Sequence, residues 1–125
     1  ALAAHSKRAA IVTSNSSRTV QGWLERHQLV TTVGVIVGRD SGLALKPSPA
    51  MVLEALVRAG TGAREAVFVG DSEADADAAR GARVGFYGIA IEPVNCQRLL
   101  AAGAIQVFPS PAALAQAFRL AETGL

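Results

Sequence analysis

Three short stretches place phosphate- and cation-seeking side chains at the ends of apolar runs. Thr13-Ser14-Asn15 follows Ala9-Ala10-Ile11-Val12. Lys46 sits between Leu43-Ala44-Leu45 and Pro47-Ser48-Pro49. Asp71 and Asp75 follow Val67-Phe68-Val69-Gly70. A hydroxyl beside the free N–H groups of a helix N-terminus can cradle a phosphate, and the same residues can also serve simply as helix caps. A lysine on a loop stiffened by two prolines can hold a phosphoryl oxygen as a point charge, or can be solvated. Magnesium takes few protein carboxylates and keeps waters or substrate oxygens. Asp71, at a strand end, suits it as a ligand, with a plain helix cap as the alternative. Asp75 lies one helical turn on, within reach of the same site. Glu73 and Asp77 fall at other angles and read as solvated.

These groups need elements to position them. Ala9 to Thr13 reads as a buried strand, and Ser14 to Ser17 offers several caps for a helix over Thr19 to His27, with Val20, Trp23 and Leu24 on one face. Trp23 reads as a core anchor of that helix. Val33 to Val37 is a second strand and Gly38 to Ser48 a loop. Pro49 starts a helix whose apolar residues, Met51, Val52, Ala55, Leu56 and Ala59, recur at helical spacing until Gly60. Ala66 to Val69 is a third strand, and an Ala-rich helix over Asp75 to Arg80 closes at Gly81. Val84 to Tyr87, Val94 to Ala102, Ile105 to Phe108 and Pro111 to Glu122 follow as strand, helix, strand and helix. Leu2 to Lys7 reads as the end of a preceding helix. Strands alternate with helices, and their apolar character on both faces predicts an α/β fold: a parallel sheet between two helical layers. Such sheets bind ligands beyond the carboxyl ends of their strands, where the three stretches fall.

Composition narrows the function classes. The 125 residues suit one domain, half of them hydrophobic and few aromatic, so Ala, Val, Leu and Ile must build the core. Twelve basic and ten acidic side chains are interspersed and leave a net charge of +2, which suggests neither a nucleic-acid stripe nor a membrane patch. No apolar run approaches the ~20 residues of a membrane span. Cys96 is the only cysteine, which excludes an intramolecular disulfide, fits a reducing cytoplasm and reads as a buried free thiol. His5 and His27 lack a partner at metal or triad spacing and read as surface residues. Neither a Gly-x-Gly-x-x-Gly, a Walker-type loop nor a Gly-x-Ser-x-Gly occurs.

Together these segments resemble the haloacid-dehalogenase-like (HAD) hydrolase superfamily, in its phosphoglycolate phosphatase and β-phosphoglucomutase-like branch. Ile11-Val12-Thr13-Ser14-Asn15 is similar to the second motif of that family, Lys46-Pro47 to the third, and Gly70-Asp71-Ser72-Glu73-Ala74-Asp75 to the fourth. The resemblance covers about residues 7 to 120, with the motifs in order and at fitting spacing. It implies a Rossmannoid core that acts on a phosphorylated small molecule with Mg2+. Thr13 would hydrogen-bond the phosphoryl group, with Ser14 and Asn15 beside it. Lys46 would steady the phosphoaspartyl intermediate, and Asp71 would bind the metal with Asp75 in support.

The first motif of the family, Asp-x-Asp at the end of its first strand, has no counterpart after an apolar strand ahead of these segments. The expectation is therefore the C-terminal portion of a HAD-like core over residues 1–125, without a cap domain and incomplete at the first strand. Asp40 follows the wrong strand and has no second Asp two residues on, so it is no substitute. The family strand order leaves a gap between the strands bearing Thr13 and Asp71. Direct pairing, strand exchange in a homodimer or a companion segment would fill it. The leading reading is a magnesium-dependent phosphatase or phosphomutase core, inactive alone for want of the nucleophile. The alternatives are a non-catalytic phosphate-binding or regulatory module, and a simple interaction domain.

Overall fold

A computed structural model describes residues 9–28 and 33–122, with 120–122 as backbone alone. The helix expected over Leu2 to Lys7, and His5 with it, lie outside the described residues. Among the described residues five strands alternate with five helices: β1 (Ala9–Val12), α1 (Ser17–Arg26), β2 (Val33–Val37), α2 (Ala50–Ala59), β3 (Val67–Gly70), α3 (Glu73–Ala82), β4 (Gly85–Ile89), α4 (Pro93–Ala101), β5 (Gln106–Phe108) and α5 (Pro111–Glu122). Two short 3-10 turns, Arg39–Ser41 and Ala63–Glu65, interrupt the loops.

All strand pairs are parallel, but they form two sheets, β1-β2 and β3-β4-β5. Direct pairing of β1 with β3, one of the three expected closures, is therefore not formed. Helices α2, α3 and α4 pack against one another on one face, and α5 lies on the other. There Tyr87 meets Phe118 of α5 edge-on, with ring centroids 5.4 Å apart. The expected layers of helices on both faces are present.

Helix α2 joins the two sheets. Its Met51 and Ala55 are buried with Val37, against Val12, Val35 and Leu43 of the first sheet's half. Its Val52 is buried with Ala78, Ala82 and Val84, against Phe68 and Leu56. A third cluster, Ala76, Ala79, Phe86 and Leu99, seats α3 and α4 on β4. Small residues on α3 let it approach the sheet and α2 closely, and Gly81 lies against the Pro49 ring. This contact replaces the helix end expected at Gly81. The helix runs on to Ala82, and Arg83 ends it in the left-handed region (φ 63°), its N–H donating to the carbonyls of Ala79 and Arg80.

Two further expectations are corrected. Trp23 is 46 % exposed and stacks on His27 at 4.1 Å between ring centroids, while Leu24, one residue on, is the buried anchor of α1. The helical period allows only one of two adjacent residues to point straight inward, and the smaller one does. The strands are also not covered on both faces throughout. Val67 and Val69 of β3 are exposed, on the face opposite Phe68. Cys96 is half-buried, with its Sγ 3.6 Å from the Ala90 carbonyl.

Because α2 is the joint, Met51→Ala should cost about 2–5 kcal/mol in denaturant unfolding. It should also raise amide exchange in β1 and β2 more than in β4. Equal loosening of both sheets would contradict the joint.

Candidate active site

The carboxyl end of β3 turns into α3 around one buried carboxylate. Ser72 is the N-cap of α3, and its hydroxyl accepts the Asp75 N–H at 3.1 Å. In return, Asp75 Oδ2 accepts the N–H groups of Asp71 and Ser72, both at 3.2 Å, and the Ser72 hydroxyl at 2.9 Å. This is a capping box with Asp in place of the usual Glu or Gln. Asp75 Oδ1 accepts Lys46 Nζ at 2.6 Å. The ion pair is largely withdrawn from water, with side-chain exposures of 8 % for Asp75 and 19 % for Lys46. Gly70 makes the fold-back possible, since a Cβ there would collide with the Asp75 carboxylate.

Lys46 reaches this carboxylate from a loop that ends in the cis Lys46–Pro47 peptide. Its ammonium also lies 5.9 Å from the centre of the Phe68 ring. Asp71 differs from Asp75 in kind. It is exposed, and among the described residues its carboxylate has no hydrogen-bond partner. A cleft of about 360 Å³ is lined by Val12, Lys46, Phe68 to Asp71, Asp75, Ile89 and Pro111. It lies between the ends of β1 and β3, the two strands that do not pair.

Thr13, Ser14 and Asn15 do not line that cleft. Thr13 is the next residue after Val12, which does. The Thr13 N–H donates to the Val37 carbonyl at 3.0 Å, which extends the β1-β2 ladder. Its Oγ1 accepts the Asn15 N–H at 3.0 Å, leaving the hydroxyl proton free to donate. Ser14 and Asn15 are exposed. Ser16, rather than Ser14 or Asn15, caps α1, its Oγ accepting the Thr19 N–H at 3.1 Å.

Sequence reasoning missed two contributors. Ser72 was legible as a Ser-x-x-Asp box ahead of an Ala-rich helix. Asp40 carries no local signal, because its partner is 23 residues away: Oδ1 accepts the Ser17 N–H at 2.8 Å and Oδ2 the Ser17 hydroxyl at 2.6 Å. That hydroxyl, and then the backbone N–H, hold the Asp40 carboxyl below the usual carboxylate range.

The fold and sequence are similar to those of known proteins. The family model for haloacid dehalogenase-like hydrolases matches residues 1–89. The chain belongs to that family. It is 36 % identical over 75 residues to a protein of Pseudomonas savastanoi named "Probable phosphoglycolate phosphatase", covering 60 % of this chain and 47 % of that one. A Thermotoga maritima protein assigned by inference as a β-phosphoglucomutase superposes with a TM-score of 0.79 at 26 % identity, over 90 % of this chain and 53 % of its own. A Pseudomonas syringae hydrolase does so with a TM-score of 0.71 at 26 % identity, over 86 % and 50 %. The chain thus spans about half the length of these HAD relatives.

Two predictions separate the two aspartates and test the third. Asp75→Asn should destabilise by about 3–5 kcal/mol, since it leaves a half-buried ammonium unpaired. Asp71→Asn, at an exposed group, should fall within about 0.5 kcal/mol of the parent. Denaturant unfolding of both distinguishes the buried anchor from the exposed carboxylate; equal costs would refute the distinction. For Asp40, the folded-state value is depressed, so its contribution to stability is complete above the usual carboxylate range. That contribution fades as pH falls through the lower folded value. Asp40→Asn should flatten this part of an acid-unfolding curve, and an unchanged curve would contradict it.

Proposed function

We propose that these residues form the phosphate- and metal-binding part of a magnesium-dependent phosphoric monoester hydrolase or phosphomutase. The observation that supports it most is the cleft at the strand ends, where a free carboxylate at Asp71 stands beside the Lys46–Asp75 pair. Asp71 would take the metal directly. Asp75, with both oxygens already accepting hydrogen bonds, would support it by holding Lys46 and the turn. Bound magnesium would supply charge neutralisation at the phosphoryl oxygens. The residues fit a weak site, since one free carboxylate leaves most of the coordination shell to water and substrate. Lys46 Nζ would hold a phosphoryl oxygen without moving far from Asp75. The Thr13 hydroxyl would donate its free proton to another oxygen.

These groups orient and stabilise a phosphoryl group; none of them attacks it. The attacking carboxylate would come with a strand in the gap between β1 and β3, either from a companion segment or from a homodimer partner. Because β1 and β3 both end at the cleft, a strand laid parallel between them would deliver its carboxyl end beside Lys46 and Asp71. A phosphorylated small molecule is the proposed substrate.

Titrating magnesium into the 125-residue chain should shift amide signals over residues 70–76 with millimolar-range affinity, and Asp71→Asn should abolish the shifts. The chain alone should not turn over p-nitrophenyl phosphate. Adding an Asp-x-Asp strand segment, fused or in trans, should create turnover that requires magnesium and Lys46. Turnover by the unsupplemented chain, lost in Asp71→Ala, would overturn the reading.

A further inference from the structure

We propose that Asp40 is a positioning residue for the phosphoryl subsite at Thr13, an inference that rests on the phosphatase reading above. The turn after β1 is docked onto the turn after β2. Two of the ties are backbone bonds, from Thr13 N–H to the Val37 carbonyl at 3.0 Å and from Arg39 N–H to the Asn15 carbonyl at 2.8 Å. The remaining two come from the Asp40 carboxylate, which grips both the N–H and the hydroxyl of Ser17. Gly38 is buried between the turns, where a Cβ would stand 2.5 Å from Ser17 N and 2.7 Å from the Asn15 carbonyl oxygen. Only a glycine allows so close an approach.

Capping alone does not account for Asp40. Helix α1 already has a local cap in Ser16, whose hydroxyl accepts the Thr19 N–H. Asp40 instead reaches across from another strand end to the first helical residue. The segment it pins, 13–17, contains the internal bond from Asn15 N–H to Thr13 Oγ1 that decides where the Thr13 hydroxyl proton can point. Asp40 also consumes a first-turn N–H of α1 and adds a negative charge there, which disfavours an anion on the helix axis. The phosphoryl group is thereby left to the Thr13 hydroxyl, one residue beyond the cleft-lining Val12. A carboxylate that merely repelled phosphate would weaken the site; one that fixes Thr13 strengthens it.

The two effects have opposite signs in variants. Inorganic phosphate is titrated into the protein with magnesium present, following the amide signals of Thr13, Asn15 and Ser17, and amide exchange at Ser17 is measured alongside. Asp40→Ala should weaken phosphate binding about tenfold and speed exchange at Ser17. Asp40→Asn retains a carbonyl acceptor for the Ser17 N–H and should restore most of the affinity. Should Asp40→Ala fold poorly, Ser17→Ala removes the Oδ2 bond alone and should give an intermediate loss. Unchanged affinity in Asp40→Ala with faster exchange would make the tie merely structural, and tighter binding by both Asp40 variants would make it repulsive. Either result overturns the proposal while leaving the phosphatase reading intact. A parent protein with no response at Thr13 to Asn15 would overturn both.

Discussion

The Asp75 carboxylate is the point through which the site is assembled. Four donors converge on its two oxygens, from the Lys46 side chain, the Asp71 and Ser72 backbone and the Ser72 hydroxyl. They belong to three parts of the chain: the loop before α2, the end of β3 and the start of α3. A buried carboxylate is tolerated only when its lone pairs are met by donors and its charge by a partner. Asp75 meets both conditions, and doing so forces Lys46 to the mouth of the cleft and turns Asp71 outward. The pair of aspartates four residues apart thus divides its work. One is spent on architecture, and the other is left exposed with no hydrogen-bond partner among the described residues.

Such an anchor needs backbone that can close around it and helices that hold the loop in place. Gly70 meets the first need, by leaving space where a side chain would strike the carboxylate. Helix α2 meets the second. It begins directly after the Lys46 loop and is buried against both sheets through Met51 and Val52. The position of Lys46 is therefore set from both ends, by the ion pair and by the packing of the helix that follows. The same helix spans the division between β1-β2 and β3-β4-β5, so sheet alignment and site geometry depend on one packed element.

Most of this was legible in the sequence where the cause is local. Alternating apolar runs and caps placed the strands and helices within a few residues, and Gly60 ends α2 as its position suggested. Thr13 and Asp71 could be singled out because each follows an apolar run at a strand end, Lys46 because it sits between a short apolar stretch and two prolines, and Asp75 because it lies one helical turn beyond Asp71. What could not be read depends on distant partners. The Asp40–Ser17 tie spans 23 residues, and nothing near either residue announces it. Trp23 was misjudged because composition cannot say which of two adjacent apolar residues a helix turns inward. The exposed face of Val67 and Val69 reflects which helices happen to cover β3, a property of topology rather than of those residues.

The division of the sheet follows from the same topology. β1 and β3 each offer one edge without a ladder partner among the described residues, and between them lies the cleft that holds Lys46 and Asp71. Each of these edges presents N–H and C=O groups that no ladder satisfies. Open edges of this kind also invite pairing with another chain. A strand that entered would satisfy both edges at once and would end where the lysine and the free carboxylate stand. The energetic demand of the edges and the chemical demand of the site therefore point to the same position. The force that would complete the sheet is the one that would complete the proposed phosphoryl-transfer site.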